Sequence, residues 1–181
     1  MTSSEISKPL TNFENLERKF NEAVTSESYS KLIELFKKHD DIYVIGNGGL
    51  HFVASHMATD ISRLVPGKFC HSFDSFGFIT SSANDYGFDS IFKRWLECCV
   101  NNNKKGFVLG LSCSGKSKNI INAFDYCETI GWDVFLISGK PTKLTCPHLQ
   151  IDANHFHTVE AFSLMLFYEI IHSLGNECPR I

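Results

Sequence analysis

Short apolar runs alternate with longer amphipathic stretches along most of the chain. The apolar runs are typical of buried β-strands, and they cover residues 41–46, 69–73, 105–112, 132–138 and 149–152. Helices are predicted between and after them, over about 49–64, 88–100, 117–130 and 158–174. Continuous apolar strands separated by helices indicate a parallel sheet that is covered on both faces. The pattern therefore predicts an α/β fold, a three-layer sandwich around a five-stranded parallel sheet.

The region before the first strand has a different pattern. Apolar residues recur at helical spacing between residues 12 and 38, which predicts one or two amphipathic helices with a break near 25–28. Residues 1–9 are polar and end at Pro9, so we expect a disordered lead-in there. Residues 10–181 are then expected to form a single domain.

Composition narrows the class of protein. Hydrophobic residues make up 43% of the 181 residues, which is enough for a proper core, and the net charge of −3 argues against nucleic acid as a partner. No apolar run is long enough to span a membrane, and no secretory signal opens the chain. The seven cysteines are odd in number and include no CxxC pair, which favours reduced thiols. We expect a soluble cytoplasmic protein.

A glycine-rich turn follows the first predicted strand. It reads Gly46-Asn47-Gly48-Gly49, and its glycines allow a tight turn and a close approach of the backbone to an anion. A dinucleotide-binding fingerprint would need a third glycine at the position of His51. The turn is thus either a plain tight turn or part of a phosphate site.

A serine-rich turn follows the third predicted strand. Residues 110–117 match the P-loop pattern GxxxxGK[ST], and they also place Ser112, Ser114 and Ser117 around one helix N-terminus. Both interpretations imply a bound phosphate. A nucleotidase would also need an aspartate at the end of a strand to hold magnesium, whereas the strand at 132–138 is followed by glycine. A nucleotide binder therefore stays the lesser alternative.

Several motifs in order resemble one family. These are the GNGG turn, the helix with histidines that follows it, Ser82-Ala-Asn84-Asp85-Tyr-Gly-Phe88, and Ser112-x-Ser114-Gly-x-Ser117. Together they resemble the phosphoheptose isomerases, which belong to the wider group of sugar isomerase (SIS) domains, over about residues 12–174. The resemblance implies a SIS sheet, a homotetramer with active sites at subunit interfaces, and no nucleotide cofactor. It also implies the conversion of sedoheptulose 7-phosphate to a heptose 7-phosphate through an enediol.

The resemblance also implies substrate-binding roles. The serine loop would hold the phosphate, a loop with Asn and Asp would contact the sugar, and the GNGG turn would lie beside the substrate chain. The residues that carry these roles here would be Ser112, Cys113, Ser114, Ser117, Asn84, Asp85, Asn47 and Gly48.

Candidate catalytic groups lie on two of the predicted helices. His56 and Asp60 are four residues apart and share a helix face, where they could hold a divalent metal or where the carboxylate could act as a base. The resemblance makes His56 a metal ligand and Asp60 both ligand and general base, although the family has the longer Glu. It makes Glu160, in place of a Gln, a further ligand to a divalent ion such as Zn²⁺.

Four departures from the family bear on whether the chain is an enzyme. Tyr168 replaces a histidine that acts as general acid and ligand, and a phenol can donate a proton but is a poor zinc ligand. His157, at the entrance of the last helix, is the other candidate acid. Ser163 replaces a second histidine, Leu50 replaces a serine, and Asp60 shortens the base. The alternative to an isomerase is therefore a non-catalytic SIS module that binds a phosphosugar.

Overall fold

The computed structural model describes residues 14–100 and 105–180. Seven α-helices and a short 3₁₀ turn at Phe88–Ser90 lie in these ranges. The helices are α1 (Leu16–Val24), α2 (Glu27–Lys38), α3 (Gly49–Leu64), α4 (Phe76–Tyr86), α5 (Ile91–Cys99), α6 (Lys118–Thr129) and α7 (Phe156–Ser173). The predicted lead-in at residues 1–9 lies outside the described residues. No helix of the described part is both long and apolar enough to cross a bilayer.

Five parallel strands form one sheet. They are β1 (Asp41–Gly46), β2 (Phe69–Ser72), β3 (Phe107–Ser112), β4 (Asp133–Ser138) and β5 (His148–Gln150). Their order across the sheet is β2-β1-β3-β4-β5, and every neighbouring pair is parallel. The predicted five-stranded parallel α/β fold is confirmed.

Alternate side chains of each strand enter two separate cores. In β1, Ile42 and Val44 pack with buried residues of α2, α3 and α7, whereas Tyr43 and Ile45 pack with those of α5 and α6. β3 divides in the same way, since Leu109 enters the first core and Val108 the second. Both faces of the sheet are therefore covered, which explains why its strands read as continuous apolar runs.

Helix α4 was not predicted from the sequence, and this corrects one expectation about the site. Asn84 and Asp85, expected in a loop, lie in the last turn of α4. The helix escapes notice because Ser82 is its only buried residue, so it shows no clear apolar stripe. Its N-terminus is defined by the side chain of Ser75, which accepts a hydrogen bond from the Phe78 backbone N–H.

The order of the strands places the functional site. The chain steps outward from β1 to β2 and then returns to place β3 on the other side of β1. The connections after β1 and β3 therefore diverge and leave a crevice at the carboxyl ends of these two strands, which is where ligands bind in open parallel sheets. The GNGG turn and the serine loop, which runs from Ser112 to Ser117, occupy the two sides of this crevice.

Candidate functional site

A cavity of about 400 Å³ opens at the carboxyl ends of β1 and β3. The GNGG turn, the serine loop and the start of α7 form its walls. Its lining residues are Asn47, Gly48, Gly49, Leu50, Leu111, Ser112, Cys113, Ser114, Ser117, Phe156 and Glu160. The two turns that the sequence singled out for phosphate binding thus meet in one cavity.

Hydroxyl groups of the serine loop are organised by short hydrogen bonds. The Ser112 hydroxyl lies 2.9 Å from that of Ser117 and accepts a hydrogen bond from the Gly115 N–H at 3.1 Å. Gly115 has a φ of 65°, and a Cβ there would lie 2.9 Å from the Lys140 carbonyl oxygen. Glycine at 115 is therefore required by the backbone of the loop.

A reciprocal amide pair joins the two sides of the crevice. Asn47 donates to the Asn119 side-chain oxygen at 3.0 Å, and Asn119 donates back to that of Asn47 at 2.8 Å. Asn119 lies in the first turn of α6 and is only 2% exposed. The GNGG turn and the serine loop are thereby held in a fixed relative position.

Two helix N-termini start at this cavity. Gly48 precedes α3 and Ser117 precedes α6, and neither N-terminus receives a side-chain capping hydrogen bond. The first backbone N–H groups of a helix have no partner within the helix, and the helix dipole gives this end a partial positive charge. The cavity therefore offers backbone donors as well as hydroxyls to an anion such as a phosphate.

Glu160 closes the cavity from the side of α7. Its carboxylate lies against Gly49, where any Cβ would collide with it. Burial raises the pKa of the neighbouring Cys113 thiol to about 11, and the Glu160 charge contributes to the same shift. Cys113 therefore stays a neutral thiol at physiological pH, which excludes it as a ready nucleophile.

A second group of polar side chains bridges α3 and α7. His56 Nε2 lies 3.0 Å from the Tyr168 hydroxyl and 3.5 Å from Asp60 Oδ2. Arg63 donates to Asp60 Oδ1 at 2.8 Å. We call Arg63, Asp60, His56 and Tyr168 the polar cluster. Three of the candidate catalytic and metal-binding residues therefore contact one another.

Burial differs within the polar cluster. Asp60 is only 6% exposed, and its charge is compensated by Arg63, as a buried carboxylate requires. His56 and Tyr168 reach the surface. Partial burial, and then the negative charge of Asp60, raise the pKa of the Tyr168 hydroxyl. Tyr168 therefore keeps its proton at neutral pH and can donate it.

Three predicted residues lie outside both the cavity lining and the polar cluster. Asn84 and Asp85 are exposed and hydrogen-bonded to each other at 2.8 Å. His157 lies in the first turn of α7, and its ring stacks on His155 with the centroids 5.2 Å apart. The structure thus gathers the predicted phosphate-binding residues but not the residues expected to contact the sugar.

The predicted metal ligands do not converge in this chain. His56 and Asp60 are close, but Asp60 is already paired with Arg63, and Glu160 lies at Gly49, about 10 Å along α3 from His56. Among the described residues, no group of three His, Cys, Asp or Glu side chains could hold a metal ion. The donor set therefore does not fit a zinc site within one chain.

Sequence reasoning missed three features of the cavity: the Asn119 partner of Asn47, the contact between Glu160 and Gly49, and the position of Phe156 at the mouth. Asn119 could have been noticed as a polar residue two positions after the serine loop. The other two depend on how α7 packs against α3. The departures Leu50 and Ser163 are both buried, and Leu50 forms part of the cavity wall.

Comparison with known proteins identifies the family. The chain is 30% identical over 175 residues to the phosphoheptose isomerase of Histophilus somni, covering 83% of this chain and 89% of that one. It is also 30% identical over 187 residues to that of Sodalis glossinidius, covering 93% and 95%. A solved phosphoheptose isomerase from Francisella tularensis superposes with a TM-score of 0.79 at 16% identity, covering 97% and 99%. No family model matches the chain.

The two curated relatives each match more than four fifths of this chain and of their own length, and the solved structure has the same fold. The chain belongs to the phosphoheptose isomerase family.

Proposed function

We propose that this protein interconverts sedoheptulose 7-phosphate and a heptose 7-phosphate, with the phosphate bound in the cavity between β1 and β3. Its family makes it an isomerase of a phosphorylated sugar. The observation that carries the specific proposal is the convergence of the GNGG turn, the serine loop and two helix N-termini on one cavity. Hydroxyls and the free backbone N–H groups of helix N-termini are donors that bind a phosphate.

The phosphate would be held by hydroxyls and backbone N–H groups. Ser112, Ser114 and Ser117 line one side of the cavity, and the N-termini of α3 and α6 lie at its end. The Ser112 oxygen accepts from the Gly115 N–H, and its hydroxyl proton can still be donated to Ser117 or to a phosphate oxygen. Hydrogen bonds to an anion are about twice as strong as those between neutral groups.

The distance between the cavity and the polar cluster suits a seven-carbon substrate. α3 and α7 touch at Gly49 and Glu160 beside the cavity, and again at His56 and Tyr168. His56 is seven residues beyond Gly49, which corresponds to about 10 Å along the helix. An extended heptose phosphate is about 10 Å long from C1 to phosphorus, with C–C bonds of about 1.5 Å. Bound by its phosphate, it would extend C1 and C2 towards the polar cluster.

The polar cluster contains the groups that an enediol step requires. A base must remove the proton from the carbon next to the carbonyl group, and an acid must protonate the carbonyl oxygen. We assign Asp60 as the base and Tyr168 as the acid, with His56 between them. Arg63 holds the Asp60 carboxylate in place. His157 is the alternative acid, and it would need to move out of its stack on His155.

The finer features implied by the family remain part of this proposal. A homotetramer with active sites between subunits is consistent with the exposed apolar side chains Phe52 and Met165 on α3 and α7. Light scattering of the purified protein would measure the assembly. Asn84 and Asp85 would contact the sugar from a neighbouring subunit.

A zinc ion stays a prediction that elemental analysis would check, and the proton transfer assigned to Asp60 and Tyr168 uses none. A cytoplasmic location also stays a prediction.

Calorimetry with sedoheptulose 7-phosphate, followed by proton NMR of the same sample, tests the function. We expect binding together with the appearance of heptose 7-phosphate. Binding without conversion would contradict the isomerase and support a non-catalytic phosphosugar-binding module, which would explain the departures at Leu50, Asp60, Ser163 and Tyr168. Magnesium-dependent ATP binding that is lost in Lys116→Ala would instead support the P-loop interpretation.

A further inference from the structure

An exposed aromatic ring stands at the mouth of the cavity. Phe156 is the first residue of α7, lines the cavity and is 74% exposed. We propose that Phe156 is a sugar-stacking residue, which packs against the C–H groups of the substrate carbons nearest the phosphate and raises the affinity for the carbohydrate part. This inference rests on the proposed function, because it assumes that the cavity holds the phosphate of a sugar.

Apolar side chains other than Phe156 also line the cavity, beside the polar groups of the serine loop. Leu50 and Leu111 line the same cavity, and both are buried. A ligand that contacts Phe156 and Leu50 meets carbon rather than oxygen.

Phe156 and Glu160 are one helical turn apart, so they share a face of α7. The carbons of a sugar chain carry C–H hydrogens as well as hydroxyl groups. The negative face of an aromatic ring attracts the slightly positive C–H hydrogens, and the Glu160 carboxylate can accept hydrogen bonds from the hydroxyls. Covering an exposed ring also removes apolar surface from water. The pair therefore matches both kinds of surface that a sugar presents.

The position of the ring separates this role from phosphate binding. Phe156 carries no group that binds an anion, whereas the serine loop offers little apolar surface. Loss of the ring should therefore weaken binding of the sugar and leave the affinity for inorganic phosphate unchanged. Loss of a serine hydroxyl should weaken the binding of both ligands.

The chain offers a matched control. Phe69 is also exposed, at 58%, but it starts β2 and so lies at the amino end of the parallel sheet, opposite the cavity. Phe156→Ala and Phe69→Ala remove the same atoms from the two ends of the sheet. Phe156→Trp keeps an aromatic face at the cavity and tests whether stacking alone is needed.

The experiment measures three quantities for each variant: the dissociation constants for sedoheptulose 7-phosphate and for inorganic phosphate by calorimetry, and the particle mass by light scattering. Phe156→Ala should weaken sugar-phosphate binding about tenfold, which corresponds to about 1.4 kcal/mol. It should change neither the phosphate affinity nor the mass. Phe156→Trp should restore sugar binding, and Phe69→Ala should behave as the wild type.

Four results would overturn the inference. These are an equal loss of affinity for both ligands, a changed particle mass, no rescue by Trp, or the same loss in Phe69→Ala. A wild-type protein that binds inorganic phosphate but not sedoheptulose 7-phosphate would instead refute the proposed function. The two failures can therefore be distinguished.

Discussion

The cavity at the carboxyl ends of β1 and β3 and the polar cluster differ in how they are built. The cavity is formed by two turns that follow β1 and β3, and its hydroxyl and amide groups are held by hydrogen bonds within this chain. The polar cluster is formed by side chains on the faces of α3 and α7, and His56 and Tyr168 remain at the surface.

This structural difference corresponds to two proposed roles, substrate recognition by the cavity and proton transfer by the polar cluster. The cavity keeps the glycines and serines that the family motifs require, because its shape depends on the backbone of the two turns. The polar cluster contains two of the departures from the family, Asp60 and Tyr168. In the proposed function, the cavity binds the phosphate and the polar cluster transfers the proton. Variants in the two regions should alter different kinetic constants.

The largest effect is expected in the polar cluster. Asp60→Asn keeps the size of the side chain but removes the base, so kcat should fall by about 10²- to 10⁴-fold. The dissociation constant for inorganic phosphate, measured by calorimetry, should stay within a factor of two of the wild type. A threefold or smaller change in kcat would contradict the role of Asp60, and an equal loss of phosphate binding would remove the distinction between the two regions.

The next effect is expected in the cavity. Ser112→Ala removes a hydroxyl that contacts Ser117 and Gly115, and it should weaken phosphate binding by about 10- to 100-fold. The matched control is Ser138→Ala, because Ser138 pairs with Ser112 across β3 and β4 and its buried hydroxyl has no hydrogen-bond partner among the described residues. Equal losses in both variants would show that the serine loop has no specific role.

The third expected effect is on the stability of the fold, and it depends on the amide pair of Asn47 and Asn119. Asn119→Ala leaves the Asn47 amide without its partner and should lower the free energy of unfolding by about 1–2 kcal/mol, measured in urea. A double-mutant cycle with Asn47→Ala should give a coupling of at least about 0.5 kcal/mol. The control Asn122→Ala, also on α6, removes a single hydrogen bond from the side chain to the Asp89 carbonyl oxygen and should cost less than Asn119→Ala. Additive losses would mean that the pair does not hold the turns together.

The smallest effect concerns the thiol in the cavity. With a pKa of about 11, about one Cys113 thiol in a thousand is ionised at pH 8, so iodoacetamide should modify the exposed Cys98 and Cys178 first. Glu160→Gln removes a charge that raises this pKa and should speed modification of Cys113 about two- to fivefold, followed by peptide mass spectrometry. Preferential labelling of Cys113 in the wild type would contradict a raised pKa of its thiol.

Most of the fold was predictable because its strands are buried on both faces. Each run of apolar residues marked a strand, and the break near 25–28 correctly separated α1 from α2. Helix α4 was missed because it lies on the surface and buries only Ser82, so the position of Asn84 and Asp85 was wrong. A periodic pattern of apolar residues arises when one face of a helix is buried, so an exposed helix shows only a weak pattern.

The site was predictable only where it is continuous in sequence. The GNGG turn and the serine loop are local motifs, and their residues meet as expected in the cavity. The contact of Glu160 with Gly49 and that of His56 with Tyr168 join residues more than 100 positions apart. They depend on how α7 packs against α3, which no local pattern specifies. Phe156 escaped notice for the same reason.

Proton NMR of sedoheptulose 7-phosphate incubated with the wild-type protein in D₂O distinguishes catalysis from binding alone. If the cavity holds the phosphate and the polar cluster transfers the proton, heptose 7-phosphate should form and carry deuterium at C2, because the enediol exchanges its proton with solvent through the base. A sugar phosphate that binds but gives neither product nor deuterium exchange would contradict the account.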